Sequence, residues 1–455
     1  MRKLFSFTIL FCLTLPISTL AKESSTVTIQ NWTLDNGARI YFVRTPELPM
    51  LDINLLFDGG SARDGEQPGI ATATGAMIGE GTTKLNVDQI SEHFANVGAL
   101  FSHATGRDNV SFTLRTLTEK ELLTPAIDTF AAVINEANFP KENYLRIQKQ
   151  LLQALKQQQQ SPDSLANKEF YQLIYSNYPY AHIPLGTVES ISKLTRDDLN
   201  RFYQQYYVAN NAYLILVGDI DRGEAQQIAN RLVGSLPAGH KAMPLAKPTY
   251  HPATYLQHIN YPASQTYVRI GSLGIDKKNP DYFNLLVGNY ILGEGALVSR
   301  LFKSVRDEKG YTYNVSSHFI PMRETGPFVI SMQTRNETAE DAIKLTKEIV
   351  SNFINKGITD EELLAAKKFI IGNFPTSFDS NQAIMENVSA IAFYNLPLNY
   401  LETYQQNVAD VTKQQVHNAF KLYLNPGKMV TITVGPSAQA STPELADNHL
   451  IPVQW

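Results

Sequence analysis

The sequence predicts an α+β chain: two homologous α/β-sandwich domains in tandem. Three observations lead there. The chain repeats itself, each copy runs strands first and helices after, and a proline-rich break separates the copies. The repeat carries the most weight. LTRDDLNRFYQQYYVANNAYLILVGD (Leu194–Asp219) and VTKQQVHNAFKLYLNPGKMVTITVGP (Val411–Pro436) align without a gap. Thr195 meets Thr412, Leu199 meets Val416, Tyr203 meets Phe420 and Tyr206 meets Tyr423; Ile215 meets Ile432 and Gly218 meets Gly435. Each copy reads as a capped amphipathic helix, a short break, then an apolar strand ending at glycine. Upstream, FPKENYLRIQKQLLQALK loosely matches ITDEELLAAKKFIIGNF, again as a capped helix in each copy.

The first element is not part of the fold. Arg2 and Lys3 precede the apolar run Leu4–Ile17, and Thr19-Leu20-Ala21 follows. That order reads as a secretory signal over residues 1–21, cut after Ala21. The run is short for a spanning helix and is interrupted by Ser6, Thr8, Thr14 and Pro16. No later stretch is apolar for long enough to span a bilayer. The mature chain is therefore expected to be exported, to the periplasm or beyond, with no membrane span.

Next comes an N-terminal domain over 22–234. It opens with the strand patterns ARIYFVRT and DINLLFDGG. Residues 235–253, SLPAGHKAMPLAKPTYHPA, lack helical or strand periodicity and read as a linker. A C-terminal domain over 254–455 opens with TYVRIGSLGI. Strands followed by helices, with a late strand returning, predict helices on one face of each sheet.

Composition excludes several functions. Without Arg2 and Lys3, 37 basic residues stand against 43 acidic ones, and no strong basic run stands out. That argues against a nucleic-acid partner. The single cysteine, Cys12, lies inside the signal. The mature chain then has no disulfide, no thiol nucleophile and no cysteine-ligated zinc. The glycines of Gly293-Glu294-Gly295 lack a following basic group and read as a turn, not a phosphate cradle.

The segment LDNGARIYFVRTPELPMLDINLLFDGGSARDGEQPGIATATGAMIGEGT resembles the opening of the pitrilysin-type metallopeptidases. That family includes insulin-degrading enzyme and mitochondrial processing peptidase. The shared order is an L-x-N-G strand, a Gly-Ser step after the next strand, then the helix that bears H-x-x-E-H in the family. The resemblance covers essentially the whole mature chain and implies metallopeptidase-like roll domains. It also shows what has gone. The family's two histidines fall on Thr72 and Ala76, and its catalytic glutamate falls on Gly75. The third ligand, a glutamate, is expected near Gln153, but 143–162 holds no acidic residue. Catalytic zinc needs three protein ligands and a carboxylate base for its water. Glu80 lies close in sequence, but one carboxylate cannot hold zinc. Among the nine histidines no two share a helical turn. No metal and no cofactor is expected on this chain.

A second segment keeps what the first lost. LGEGALVSRLFKSVRDEKGYTYNVSS places Arg306 and Tyr313 seven positions apart across Gly310. Leu297, Leu301 and Val305 repeat at helical spacing, and Phe302 joins that face. Gly310 suits a left-handed helix stop. Tyr311, Tyr313 and Val315 are expected on one strand face. Taken alone, Arg306 is a helix-end cation and Tyr313 a packed aromatic. The segment resembles the family's L-G-x-G-x-x-S-R-L-x-x-x-L-R-x-x-x-G-x-x-Y. The resemblance implies that Arg306 holds substrate and that Tyr313 faces a zinc site across a chamber. Val305 stands where leucine is usual.

The expected function follows from that combination. The chain is not a peptidase alone. It is expected to be the non-catalytic subunit of an exported heteromeric zinc metallopeptidase, pairing with an H-x-x-E-H homologue that carries the zinc. Its substrates would be unfolded peptides. The alternative is a pseudo-peptidase acting only as a scaffold or peptide-binding protein.

Overall fold

The computed structural model describes residues 27–249 and 255–436. The signal segment 1–21 with Cys12, and also His251 and His449, lie outside the described residues. The first half runs β1 (Gln30–Thr33), β2 (Arg39–Arg44), β3 (Met50–Phe57), α1 (Ile70–Met77), α2 (Val87–Asn96), β4 (Leu100–Thr105), β5 (Val110–Leu117), α3 (Lys120–Asn135), α4 (Lys141–Gln159), α5 (Pro162–Tyr175), α6 (Val188–Lys193), α7 (Arg196–Tyr206), β6 (Ala212–Gly218) and α8 (Arg222–Val233). The second runs β7 (Tyr255–Asn260), β8 (Gln265–Leu273), α9 (Tyr282–Asn289), two π-helical segments (Tyr290–Glu294 and Phe302–Glu308), β9 (Thr312–Phe319), β10 (Pro327–Arg335), α10 (Ala339–Lys356), α11 (Asp360–Asn373), α12 (Asn381–Tyr394), α13 (Tyr400–Ala409), α14 (Lys413–Tyr423) and β11 (Val430–Gly435). No helix among the described residues is long and apolar enough to cross a membrane.

The repeat is real at the level of single residues. Thr195 and Thr412 both cap their helices in capping boxes, closed by Asp198 and Gln415. Ile215 and Ile432 are both fully buried. The upstream pair differs: Thr359 caps α11 through Glu362, whereas α4 starts at Pro140 with no side-chain cap. Strand order is β1-β2-β6-β3-β5-β4 in one sheet and β7-β11-β8-β10-β9 in the other. The two match strand for strand from β2/β7 to β4/β9. In each, one parallel pair (β2–β6, β7–β11) joins an otherwise antiparallel sheet.

Helices do not cover one face only. β6 and β11 are buried along their whole length, which requires cover on both faces. Leu214 and Leu216 of β6 pack into their own half's core. Tyr213, Ile215 and Val217 instead meet Ile384, Met385, Val388, Ala392 and Phe393 of α12, a helix of the other half. Reciprocally, Val430, Ile432 and Val434 of β11 meet Ala166, Phe170, Tyr171 and Ile174 of α5. Each half therefore lends one helix to the other's sheet. Strand alternation alone could not reveal this, because a strand buried on both faces has no polar side.

Polar groups reinforce the exchange. Arg323, in the β9–β10 turn, reaches Asp58 of the first half at 2.5 Å and stacks 4.2 Å over Phe393. Asp58 is also held by Arg63 at 2.8 Å. Asp108 accepts from Tyr180, from the Arg323 amide at 2.8 Å and from Tyr394 at 3.2 Å. Residues 235–249 carry no regular element and lie against the first half, where Ala209 and Asn210 donate to Pro237 and Ala238.

Candidate functional site

Two places bear on function: the α1 helix of the first half, and the turn at Gly310 in the second.

Asp64 fixes the start of α1. Its fully buried carboxylate accepts from the Gly69 amide at 2.6 Å and the Ala71 amide at 3.0 Å, and His182 sits 2.9 Å away. Burial pushes the Asp64 carboxyl up, while His182 and the two amides pull it back. Thr72, Gly75 and Ala76 all lie on α1. The Thr72 hydroxyl donates to the Pro184 carbonyl at 2.6 Å. Gly75 is buried, and a Cβ placed there would meet Thr105 Oγ1 at 2.9 Å and Val110 Cγ2 at 3.2 Å. Ala76 packs at the edge of the core. Gln153, on the neighbouring α4, is exposed. Glu80 follows α1 and is taken by Asn143 at 2.8 Å and by Arg146. Among the described residues no three His, Cys, Asp or Glu side chains converge as metal ligands.

In the second half the chain stops its helix and starts its strand within a few residues. The helix is π-helical from Phe302 to Glu308, a rare form that concentrates at functional sites. Leu301, Phe302 and Val305 are buried as the spacing predicts, but Leu297 is not on that face. It lies before the helix at φ +62° and is 66% exposed. Gly293 and Glu294 belong to the first π segment, which closes at Gly295. Arg300, which sequence reasoning passed over, anchors the second segment with a two-pronged bond to Glu362, both at 2.7 Å. Asn289, nearly fully buried, donates to the Ser317 carbonyl at 2.8 Å and to Glu294 at 2.9 Å, tying the first segment to β9.

Gly310 ends the helix at φ +62°. Its amide donates to the Arg306 carbonyl at 2.9 Å, and the Tyr311 amide donates to Val305 at 3.0 Å. The cap thus sets Arg306 and the start of β9 together. Gly310→Ala is expected to cost about 1 kcal/mol, because nothing crowds the added Cβ and only the left-handed backbone objects. Urea unfolding checks this.

β9 does not place Tyr313 beside Val315. Thr312 pairs with Thr334 and Asn314 pairs with Gln333, so Tyr313 is the extra residue of a β-bulge. Val315 stays buried at 1%, whereas Tyr313 is 86% exposed. Tyr311 packs on the core. Tyr313 is therefore not a packed aromatic. Among the described residues its hydroxyl has no partner and its strand is one edge of the sheet. The Thr312 hydroxyl clamps the bulge, donating to the Gln333 carbonyl at 2.5 Å and accepting from the Asn314 amide at 3.2 Å. Thr312→Val should cost about 1–2 kcal/mol through the lost bonds and should mobilise Tyr313. Hydrogen exchange at Asn314 and Val315 reads it.

Arg306 is half exposed, lies 3.0 Å from Asp307 and stacks 4.4 Å over Phe302. An exposed pair of this kind is worth about 0–1 kcal/mol, so the guanidinium can leave Asp307 for a ligand at little cost. Neither Arg306 nor Tyr313 bonds to α1.

Comparison with known proteins places this arrangement. Residues 39–188 match the family described as Insulinase (Peptidase family M16), and residues 193–370 match the Peptidase M16 inactive domain. The crystal structure of a peptidase M16 inactive domain from Pseudomonas fluorescens is 37% identical, superposes with a TM-score of 0.87, and is matched over 90% of this chain and 98% of that one. The chain belongs to peptidase family M16. The M16 chain is also similar to the non-peptidase homolog YmxG of Helicobacter pylori, 27% identical over 83% of this chain and 87% of that one. An uncharacterized zinc protease of Rickettsia felis is 27% identical, over 83% and 91%.

Membership in M16 implies zinc at α1. The residues present do not fit it. A threonine committed to a carbonyl, a glycine where even a Cβ is crowded by Thr105 and Val110, an alanine and an exposed glutamine supply no imidazole and no carboxylate.

Proposed function

We propose that this M16 chain is the non-catalytic subunit of an exported, two-subunit zinc peptidase. It lends Arg306 and Tyr313 to the site of an H-x-x-E-H partner. The observation that carries this reading is Tyr313: a bulge turns a tyrosine outward on an edge strand, 86% exposed, with its hydroxyl unpartnered among the described residues. A tyrosine kept only for packing has no use for that geometry. The name of the Helicobacter pylori relative, a non-peptidase homolog, supports the same reading.

The chemistry suits the two side chains. The Arg306 guanidinium offers a planar fork of donors and holds a peptide carbonyl in fixed orientation. The Tyr313 hydroxyl donates a hydrogen bond to the scissile carbonyl oxygen as that oxygen takes on negative charge. The substrates are unfolded peptides, since a chamber enclosed by two such chains excludes folded proteins. A secretory signal and a cysteine-free mature chain fit a periplasmic or secreted setting.

A pull-down with the tagged mature chain tests the reading. A co-purifying H-x-x-E-H homologue that brings zinc with it is the expected result. A chain that emerges alone and without zinc would move the weight to a scaffold or peptide-binding role.

A further inference from the structure

The repeat sets α9, its π-helical end and α11 where α1 and α4 stand in the first half. α9 follows β8 as α1 follows β3, and the later helices match in order. The two places are filled differently. Between α1, α4 and α6, side chains such as Ala73, Ile147 and Leu151 close the space to about 10 Å³, barely the room of one water. Between α9, α11 and α13 it opens into a cavity of about 210 Å³.

Four aromatic rings wall this cavity. Tyr290 stacks on Phe369 at 4.9 Å, and Phe374 lies flat on Tyr404 at 4.3 Å. Phe369 is 54% exposed, so its side of the cavity is open to solvent. One charge joins the rings: Glu294, the exposed last residue of the first π segment. Its carboxylate accepts from Asn289 at 2.9 Å, and among the described residues no lysine, arginine or histidine pairs with it. No lining residue is basic. Burial pushes the Tyr404 hydroxyl up, with Tyr282 and Glu294 adding to the rise, so that ring stays neutral beside the carboxylate.

Such a lining selects an organic cation. Aromatic rings attract one, a carboxylate without a basic partner adds to the attraction, and apolar walls suit a methylene stem. A bare metal ion would need several oxygen ligands, and an acidic side chain would be repelled. The position of the cavity points to the source of the cation. Asn289, just before the π segment, donates to the Ser317 carbonyl of β9 at 2.8 Å. Ser317 shares β9 with Tyr313, about 13 Å away at the rise of a strand. An extended peptide held by Arg306 and Tyr313 reaches the cavity within about four residues. We infer that this cavity seats the lysine or arginine side chain of a bound peptide. The inference rests on the function proposed above and adds to it the class of peptide, a basic one.

Binding of two unstructured peptides to the purified chain tests it. Both are acetylated and amidated. One carries a single lysine, and the other carries norleucine in its place, which keeps the stem and drops the charge. NMR titration should give the lysine peptide about tenfold the affinity of the other. Glu294→Gln, which can still accept from Asn289, should bring the two within about threefold, and Glu294→Lys should favour norleucine. Glu294 is exposed, so the unfolding curves of both variants should stay close to the parent's. Arg306→Ala should weaken both peptides alike. If it changes neither while the lysine preference stands, the clamp fails and the cation site remains. Equal affinity of the parent chain for the two peptides overturns the inference. So does a lysine preference that survives Glu294→Lys, or a chain that binds neither peptide.

Discussion

Gly75→Glu, which restores the family's catalytic carboxylate, is expected to destabilise the chain by about 3 kcal/mol or more. The first Cβ already lies 2.9 Å from Thr105 Oγ1 and 3.2 Å from Val110 Cγ2. Beyond it stands Tyr207, buried and stacked 4.9 Å on Phe57, with Phe112 5.7 Å away. A carboxylate pushed among these rings loses its water in a place too tight to hold it. Replacing a mid-helix glycine returns only about 1 kcal/mol of helix propensity. Crowding and desolvation therefore win for glutamate. For Gly75→Ala the gain and the contact with Thr105 nearly cancel, because a threonine side chain can turn aside, and little change is expected. Urea unfolding of the two variants separates these outcomes. A Gly75→Glu chain as stable as the parent would mean that the pocket still has room for the lost base.

Tyr313→Phe is expected to lower the turnover of the proposed two-subunit enzyme about 100-fold, the loss of one well-placed oxyanion donor, or about 3 kcal/mol. The stability of the chain should stay within about 0.5 kcal/mol, because the hydroxyl bonds to none of the described residues and the ring is 86% exposed. The split between the two readouts is what matters. A hydroxyl that only packed would do the reverse, moving the unfolding midpoint and leaving turnover alone. Steady-state kinetics on a peptide substrate, with the unfolding curve of the same variant, reads both. If turnover is unchanged, Tyr313 has no part in the reaction.

Much of the architecture was legible in the sequence, for identifiable reasons. Thr195 and Thr412 announce their helices because a threonine with an acid or amide three residues on satisfies the first free amides. The apolar runs at Ile215 and Ile432 announce central strands. The helix exchange was not legible. Phe170 and Phe393 look like any other core aromatic, and which sheet they cover is decided by contacts far away along the chain. Edge strands were also faint. β4 is short and mostly exposed, so it lacks the apolar alternation that marks β5.

The candidate site divides in the same way. The loss at Thr72, Gly75 and Ala76 is plain from residue type alone. That Gly75 has no room for a glutamate is not, since Thr105 and Val110 come from other elements. Likewise His182 reads as an isolated histidine until the fold sets it against Asp64, more than a hundred residues away in sequence. At Tyr313 local periodicity misleads. Alternation places it with Val315, and the bulge reverses that by inserting one unpaired residue.

The central claim is that this chain completes a peptidase site it cannot form alone. The most direct measurement mixes the purified chain with an H-x-x-E-H homologue from the same source and follows cleavage of an unstructured peptide. The account predicts hydrolysis by the mixture, with little from either chain separately and a sharp fall when Arg306→Ala or Tyr313→Phe replaces the parent chain. A homologue that cleaves equally well without this chain would contradict it.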